Sequence, residues 1–364
     1  MNPSSNRYLA LALSGGGVRA MIFHMGALRH LAEKGRLEDV RRISTVSGGS
    51  LLVGLIFQES DMQWPSSEKF LFTIYPALRR KICSRSLQWG ALRQLIKPWN
   101  LRFFLSRANL LALALQKEWD VTAKLSDIPA LPEWSINGTT AETGKRFRFK
   151  HDSMGDYCLG YASTNTFPLA KALAVSAAFP GGFGPLTLNA TKFNWRKRPT
   201  WEASAEAAQS VNTPFNSLHL YDGGVYDNLG LEPFLDAGKG ISKIDGEAII
   251  VFDAGAPLRS GFSALALNPW RLKRIADIMA DQAHSLRVRT FHNYLRQAGG
   301  NGAYLPICKP AGEAANCISA AFAAGFPTTL RRTTIDEFDA IATHGYDVAC
   351  TEPMFHQDVI PVAV

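Results

Sequence analysis

The first sixty residues alternate between short apolar runs, glycine turns and helical spacing. Arg7 to Leu13 is a short apolar run that ends at Ser14-Gly15-Gly16-Gly17, which predicts a buried strand feeding a tight turn. Met21 to Lys34 places Ile22, Met25, Leu28 and Leu31 on one side and stops at Gly35, the spacing of a helix. Arg41 to Val46 predicts a second strand, Ser47-Gly48-Gly49 a turn, and Ser50 to Gln58 an apolar helix. Two strand–turn–helix units in succession predict an α/β fold around a largely parallel sheet.

From Asp61 to about Pro132 the pattern changes. The segment is helical in spacing and basic, carries Trp64, Trp89, Trp99 and Trp119, and is broken at Pro65, Pro76 and Pro98. It is expected to form a helical insertion, residues 61–135, on a single domain spanning 1–364. Strands are expected again at Arg146–Lys150 and Tyr157–Tyr161, then a small-residue helix at Leu169–Ala178 followed by the rigid loop F-P-G-G-F-G-P. Thr191–Pro214 is polar and irregular. Leu218–Tyr221 predicts a strand that ends at the Asp222 turn, and Ala248–Phe252 a buried strand. Asn268–Gln297 and Ile335–Tyr346 have helical spacing, which makes 255–364 a C-terminal helical part.

The chain has 364 residues, 46% of them hydrophobic and 19% charged, an ordinary globular balance with enough length for a large core. The net charge of +8 is concentrated. Lys69, Arg79, Arg80, Lys81, Arg85, Arg93, Lys97, Arg102 and Arg107 fall in one segment without Asp or Glu, and the remainder is close to neutral. Five cysteines (Cys83, Cys158, Cys308, Cys317 and Cys350) lie far apart with no CxxC pair, which suggests reduced thiols in a cytoplasmic protein rather than a disulfide framework or zinc site. The opening M-N-P-S-S-N-R-Y has no apolar h-region, and no apolar run approaches the ~18 residues that span a bilayer. A cytoplasmic location follows as the expectation, with peripheral contact on the inner face of the membrane.

Two stretches about 175 residues apart carry chemistry: I-S-T-V-S-G-G-S around Ser47, and Y-D-G-G at Tyr221–Gly224. A serine hydroxyl attacks a carbonyl only when a base takes its proton and donors stabilise the oxyanion. A strand-to-helix turn with small neighbours lifts such a serine out of the sheet, and Ser47 fits that pattern. S-G-G-S also fits a plain helix N-cap. Gly15-Gly16-Gly17 joins a strand to a helix and can present amides to an anion. It fits neither a Walker loop nor GxGxxG, because Ala20 occupies the last glycine position. Arg19 can orient that loop or bring charge to it. Asp222 closes a strand before two glycines, where a carboxylate can reach a serine; a turn aspartate bonding its own backbone is the plainer reading. Asp227 is a weaker competitor. None of the eight histidines stands out as a triad member.

Taken in order, S-G-G-G-V-R-A, T-V-S-G-G, S-A-A-F-P-G-G-F-G-P and D-G-G resemble the patatin-like phospholipases, relatives of cytosolic phospholipase A2. The likeness covers residues 7–60 and about 145–255. It implies a three-layer α/β/α fold with a central, mostly parallel sheet, and a Ser–Asp dyad lipid acyl hydrolase. By that resemblance Ser47 is the nucleophile and Asp222 the base. Gly15, Gly16 and Gly17 form the oxyanion hole with Arg19 in support, and Gly48, Phe179 and Pro180 lie at the substrate cleft. No metal and no cofactor are implied, and no acidic calcium loop is present in the sequence. The chain departs from the family pattern at Thr45, in place of the first elbow glycine, and at Ala20.

The basic segment 69–107 interleaves its cations with Phe and Trp, which suits peripheral contact with an anionic membrane carrying the phospholipid substrate. It equally suits a helical subdomain whose aromatics form a core and whose charges are solvated. No nucleic-acid motif accompanies it, so no nucleic-acid partner is expected. Two other readings stay open: a phospholipase effector or toxin gated by a ligand or partner, and a nucleotide- or nucleic-acid-binding protein using the glycine turn. Oligomeric state is not legible.

Overall fold

In the computed structural model, residues 8–355 are described apart from 105, 181, 201, 202, 205, 259, 263–269 and 312–316. The N-terminal stretch read for a leader, the Arg7 and Asn268 element starts, Gly181 and the Cys317 side chain lie outside the described residues. The chain begins β1 Tyr8–Leu13, α1 Gly17–Glu33, β2 Val40–Thr45 and α2 Gly48–Glu59. The insertion follows as α3 Ser67–Lys69, a wide turn at Phe70–Ile74, α4 Tyr75–Ser84, α5 Leu87–Leu95, a 3₁₀ segment Pro98–Phe103 and α6 Ala108–Glu118. The core resumes with β3 Glu133–Thr140, β4 Lys145–Phe149, β5 Ser153–Asp156, β6 Gly160–Ser163 and α7 Leu169–Ser176. Next come β7 Leu186–Asn189, β8 Trp195–Lys197, β9 Gln209–Val211, β10 Ser217–Asp222 and the short α8 Gly224–Asp227. A small hairpin, β11 Leu235–Asp236 and β12 Ile241–Ser242, leads to β13 Glu247–Asp253, α9 Trp270–Leu295, β14 Gly302–Pro306, α10 Cys317–Gly325 and α11 Ile335–Cys350.

The central strands β14, β13, β1, β2 and β3 are parallel, and the sheet continues antiparallel through β4, β5, β6, β8 and β9, with β10 and β7 branching from β3. This is the expected α/β sheet with parallel central strands; the antiparallel wing is an addition to the expectation. Helices cover both faces, so β1 is buried on each side. Leu9, Leu11 and Leu13 join the larger core, and Ala10 and Ala12 join a second cluster with Leu229, Phe234, Ile249, Val251 and Phe291. That two-sided burial explains why β1 and β13 are continuous apolar runs rather than alternating ones.

Several elements differ from the sequence pattern: residues 157–159, expected in a strand, form the turn between β5 and β6, and β14 lies within the C-terminal part expected to be helical. The first helix starts at Gly17, directly out of the glycine turn, four residues earlier than its apolar spacing indicates. The helix is buried nearly all round and crosses α11 closely, with a Cβ at Gly26 colliding with the Ala342 carbonyl and one at Gly345 with that of Phe23. A helix buried all round carries little amphipathic signal. The central strand β3 (E-W-S-I-N-G-T-T) was not anticipated: it is polar, yet Trp134 to Thr140 are all buried. The irregular Thr191–Pro214 stretch contains β8 and β9 at the sheet edge.

Candidate active site at the ends of β2 and β10

Ser47 stands between β2 and α2 with φ 49° and ψ −116°. A positive φ on a residue with a side chain is strained and persists only where the surroundings over-determine it. Here they do. The Ser47 amide donates to Ser176 Oγ at 3.0 Å, and Ser176 Oγ donates to the Asn137 carbonyl at 2.6 Å. Ser50 Oγ donates to Thr45 Oγ1 at 2.8 Å and lies at the same distance from Ser176 Oγ. Trp134 Nε1 donates to the same Thr45 hydroxyl at 2.9 Å. Asn137 Nδ2 donates to Ser44 Oγ and to the Thr45 carbonyl, each at 2.9 Å. The turn therefore rests on a chain of buried hydroxyls drawn from β2, α2, β3 and α7. Thr45, the departure from the family elbow, is an acceptor at the centre of that chain.

Asp222 closes β10 and is 2% exposed. The Gly224 amide donates to its Oδ1 at 2.7 Å, and the Ser47 side chain lies beside its carboxylate. Burial outweighs both neighbours and pushes its pKa up to about 7. Its backbone is fixed by Thr139 Oγ1, which donates to the Asp222 carbonyl at 2.8 Å, and by its own amide, which donates to the Ala178 carbonyl at 3.2 Å. Asp227 is committed elsewhere: it accepts the Leu229 and Glu232 amides at 3.1 and 2.9 Å and pairs with Arg287 at 3.2 Å.

The glycine turn lies against this pair. A Cβ on Gly15 would sit 3.0 Å from Ser47 Cβ, and one on Gly48 would collide with the Gly17 carbonyl, so the two turns touch. Gly17 and Gly48 are the first residues of α1 and α2, positions whose N–H groups find no acceptor within their own helix. The Gly15 amide donates to the Asn228 carbonyl at 3.0 Å and the Val18 amide to the Thr329 carbonyl at 2.9 Å, which leaves few loop amides for a polyphosphate. Arg19 is 1% exposed; its Nε donates to the Ala254 carbonyl at 3.1 Å and its Nη1 to the Phe326 carbonyl at 2.5 Å. Its guanidinium is thus spent beneath Gly16, bracing the turn from behind.

Ser47 and Gly17 open onto a cavity of about 470 Å³ whose walls include Trp89, Leu92, Leu110 and Phe179. That size suits a small ligand or an acyl chain. Phe179 lines the cavity. Gly48 packs beneath Ser47 against Gly17, and Pro180 is exposed beside Phe179. Helix α5 of the insertion roofs the cavity, held by the Gln88 amide on the Leu330 carbonyl at 3.1 Å and by Thr329 Oγ1 on Gln88 Oε1 at 2.9 Å.

Five of the nine insertion cations face carboxylates from outside their segment: Lys69–Asp61, Arg79–Asp339, Lys81–Glu59, Arg85–Asp120 and Arg93–Glu118. Beside them Trp89, Leu92, Ile96, Trp99, Leu101 and Phe104 are exposed, from 44% to 75%. No helix of the described residues is long and apolar enough to cross a membrane. Among the described residues no group of His, Cys, Asp and Glu could hold a metal ion.

Sequence reasoning did not find the hydroxyl chain or a second buried cluster at the end of β13. There Asp253, 4% exposed, accepts from Tyr304 OH at 2.6 Å and the Gly255 amide at 2.9 Å, and pairs with His284 Nε2 at 2.8 Å. Two further buried or half-buried histidines are engaged: His24 Nε2 donates to the Ser14 carbonyl at 3.0 Å, and His219 pairs with Glu142 at 2.6 Å.

The comparisons agree with this architecture. The fold matches human GIVD cytosolic phospholipase A2 with a TM-score of 0.55 at 14% identity, over 96% of this chain and 59% of that one. The same human enzyme in complex with a methyl gamma-linolenyl fluorophosphonate inhibitor and terbium chloride matches with a TM-score of 0.54 at 15% identity, over 96% and 58%. The chain thus spans less than two thirds of the length of these structures, and at such identity they speak for the fold alone. No curated protein sequence matches. The family model for patatin-like phospholipases matches residues 11–235, which takes in the glycine turn, Ser47 and Asp222. By that match, the chain belongs to the patatin-like phospholipase family.

Proposed function

We propose that the chain is a serine hydrolase that cleaves acyl esters of membrane lipids through Ser47 and Asp222. The observation that carries this reading is the strained Ser47, set beside a buried carboxylate and opening onto an apolar cavity. Ser47 Oγ attacks the ester carbonyl carbon while its proton passes to Asp222, whose pKa of about 7 suits a base working near neutrality. The amides of Gly17 and Gly48, at the ends of two helix dipoles, receive the oxyanion, with Gly15, Gly16 and Arg19 fixing the turn. Collapse of the tetrahedral species expels the alcohol with the proton from Asp222 and leaves an acyl–serine. Water then attacks that ester, gives a proton to Asp222, and the fatty acid departs as Ser47 takes the proton back.

The insertion serves as lid and as membrane contact in this reading. With over half of its cations neutralised by nearby carboxylates, contact rests mainly on the exposed Trp89–Phe104 apolar surface, so binding to vesicles depends only weakly on salt. The test is labelling by a long-chain alkyl fluorophosphonate, wild type beside Ser47→Ala. Adduct on the Ser47 peptide in the wild type and none in the variant is the expected result. Undiminished labelling or ester hydrolysis by Ser47→Ala overturns the assignment.

A further inference from the structure

Arg107 is the only charged residue among the described residues that line the cavity shared with Ser47. It is exposed, and no carboxylate among the described residues pairs with it, unlike five of the other insertion cations. Its backbone is held firmly. The neighbouring Ser106 Oγ donates to the Pro185 carbonyl at 3.1 Å and accepts the Thr187 amide at 3.0 Å, which ties this corner of the insertion to the core beyond Phe179. On the other side the Leu110 amide donates to the Arg107 carbonyl at 2.9 Å, starting α6.

A cation whose backbone is anchored at the wall of an otherwise uncharged, largely apolar cavity is complementary to an amphiphile bearing one anionic group close to its ester. A guanidinium matches phosphate oxygens in planar, bidentate fashion. We infer that Arg107 selects phosphate-bearing acyl esters over neutral ones, binding the glycerophosphate of the substrate while the acyl ester lies at Ser47. Arg107 is then a specificity residue supplied by the lid. The inference deepens the hydrolase reading and rests on it.

Purified full-length protein is assayed on mixed micelles of phosphatidylglycerol and, separately, of diacylglycerol, as wild type, Arg107→Gln, Arg107→Lys and Ser47→Ala. Loss of one charge-assisted phosphate contact is expected to raise KM for phosphatidylglycerol by about tenfold in Arg107→Gln, with kcat and diacylglycerol hydrolysis unchanged and partial recovery in Arg107→Lys. Binding of dihexanoylphosphatidylglycerol to Ser47→Ala, and its loss in the double variant with Arg107→Gln, gives the same reading without turnover. Equal effects on both micelle types, or none, overturn the inference and leave the hydrolase standing. Laurate inhibition weakened by Arg107→Gln while phosphatidylglycerol KM stays fixed also overturns it, because the cation then reads the product carboxylate. Hydrolysis that persists in Ser47→Ala overturns both readings together.

Discussion

Asp222 and Asp253 are two buried carboxylates that each close a strand, yet their pKa values are displaced in opposite directions from the ordinary one. Both lose water, which favours the neutral acid. At Asp222 only the Gly224 amide and the Ser47 hydroxyl oppose that loss, and the pKa stands at about 7. At Asp253 the His284 imidazole, the Tyr304 hydroxyl and the Gly255 amide more than offset it, and the carboxyl is held below its ordinary range. His284 is raised in turn by its partner despite its own desolvation. Shortage of partners, not depth, separates a carboxylate that can take a proton near neutrality from one that is locked as an ion.

The largest effect that tests this contrast is on turnover. Asp222→Asn keeps the volume and the Gly224 contact but cannot accept the Ser47 proton, so ester hydrolysis should fall by about 10²–10⁴-fold. The wild-type rate should rise with pH through about 7 as Asp222 ionises, and that step should vanish in the variant. Stability should move the other way. A carboxyl with a raised folded pKa favours the fold while protonated, and this advantage is lost as pH rises through about 7. Asp222→Asn is therefore expected to raise Tm at pH 8 and to leave it nearly unchanged below pH 4. A lower Tm at pH 8 would mean that the ionised carboxylate is structurally satisfied and the contrast is wrong.

Asp253→Asn should do the opposite. It removes a charge-assisted contact with His284, a loss of about 1.5–3 kcal/mol in folding stability. The sign follows from both partners. The lowered Asp253 contributes above about pH 4 and the raised His284 contributes below about pH 6.5, so the full loss lies between those values. It should shrink as pH rises through the raised His284 pKa or falls through the lowered Asp253 pKa. Denaturant midpoints at pH 5.5 and pH 9 check this, and equal losses at both would remove the ion pair from the account.

What the sequence disclosed was the part that periodicity and glycine punctuation encode. The two strand–turn–helix units, Ser47 and Asp222 are adjacent to glycine pairs, and those pairs are visible without any tertiary information. The β3 strand was missed because W-S-I-N-G-T-T buries polar groups on both faces; its hydroxyls and Asn137 satisfy one another only once β2, α2 and α7 are in place. Likewise the cations of 69–107 look unbalanced in one segment because their carboxylates, Glu59, Glu118 and Asp339 among them, come from elsewhere in the chain. Local pattern identifies what each residue can do, and long-range pairing decides whether it is free to do it.

The same reasoning gives the smallest of the expected effects, at Thr45. The residue occupies an elbow position where a glycine would give closer strand–helix approach, yet its hydroxyl accepts from both Ser50 Oγ and Trp134 Nε1. Thr45→Val preserves shape and strips the acceptor. Ser50 still has Ser176 as a partner, but the Trp134 indole N–H is left buried without one, a cost of about 1–3 kcal/mol. Because the Ser47 amide stays on Ser176, hydrolysis should drop by no more than a few-fold, with Asp222 and its pH step in place. Thr45→Ser should restore most of the stability. If Thr45→Val instead abolished hydrolysis at unchanged Tm, the hydroxyl chain would be acting on the chemistry itself, and the division between supporting groups and the Ser47–Asp222 pair would have to be redrawn.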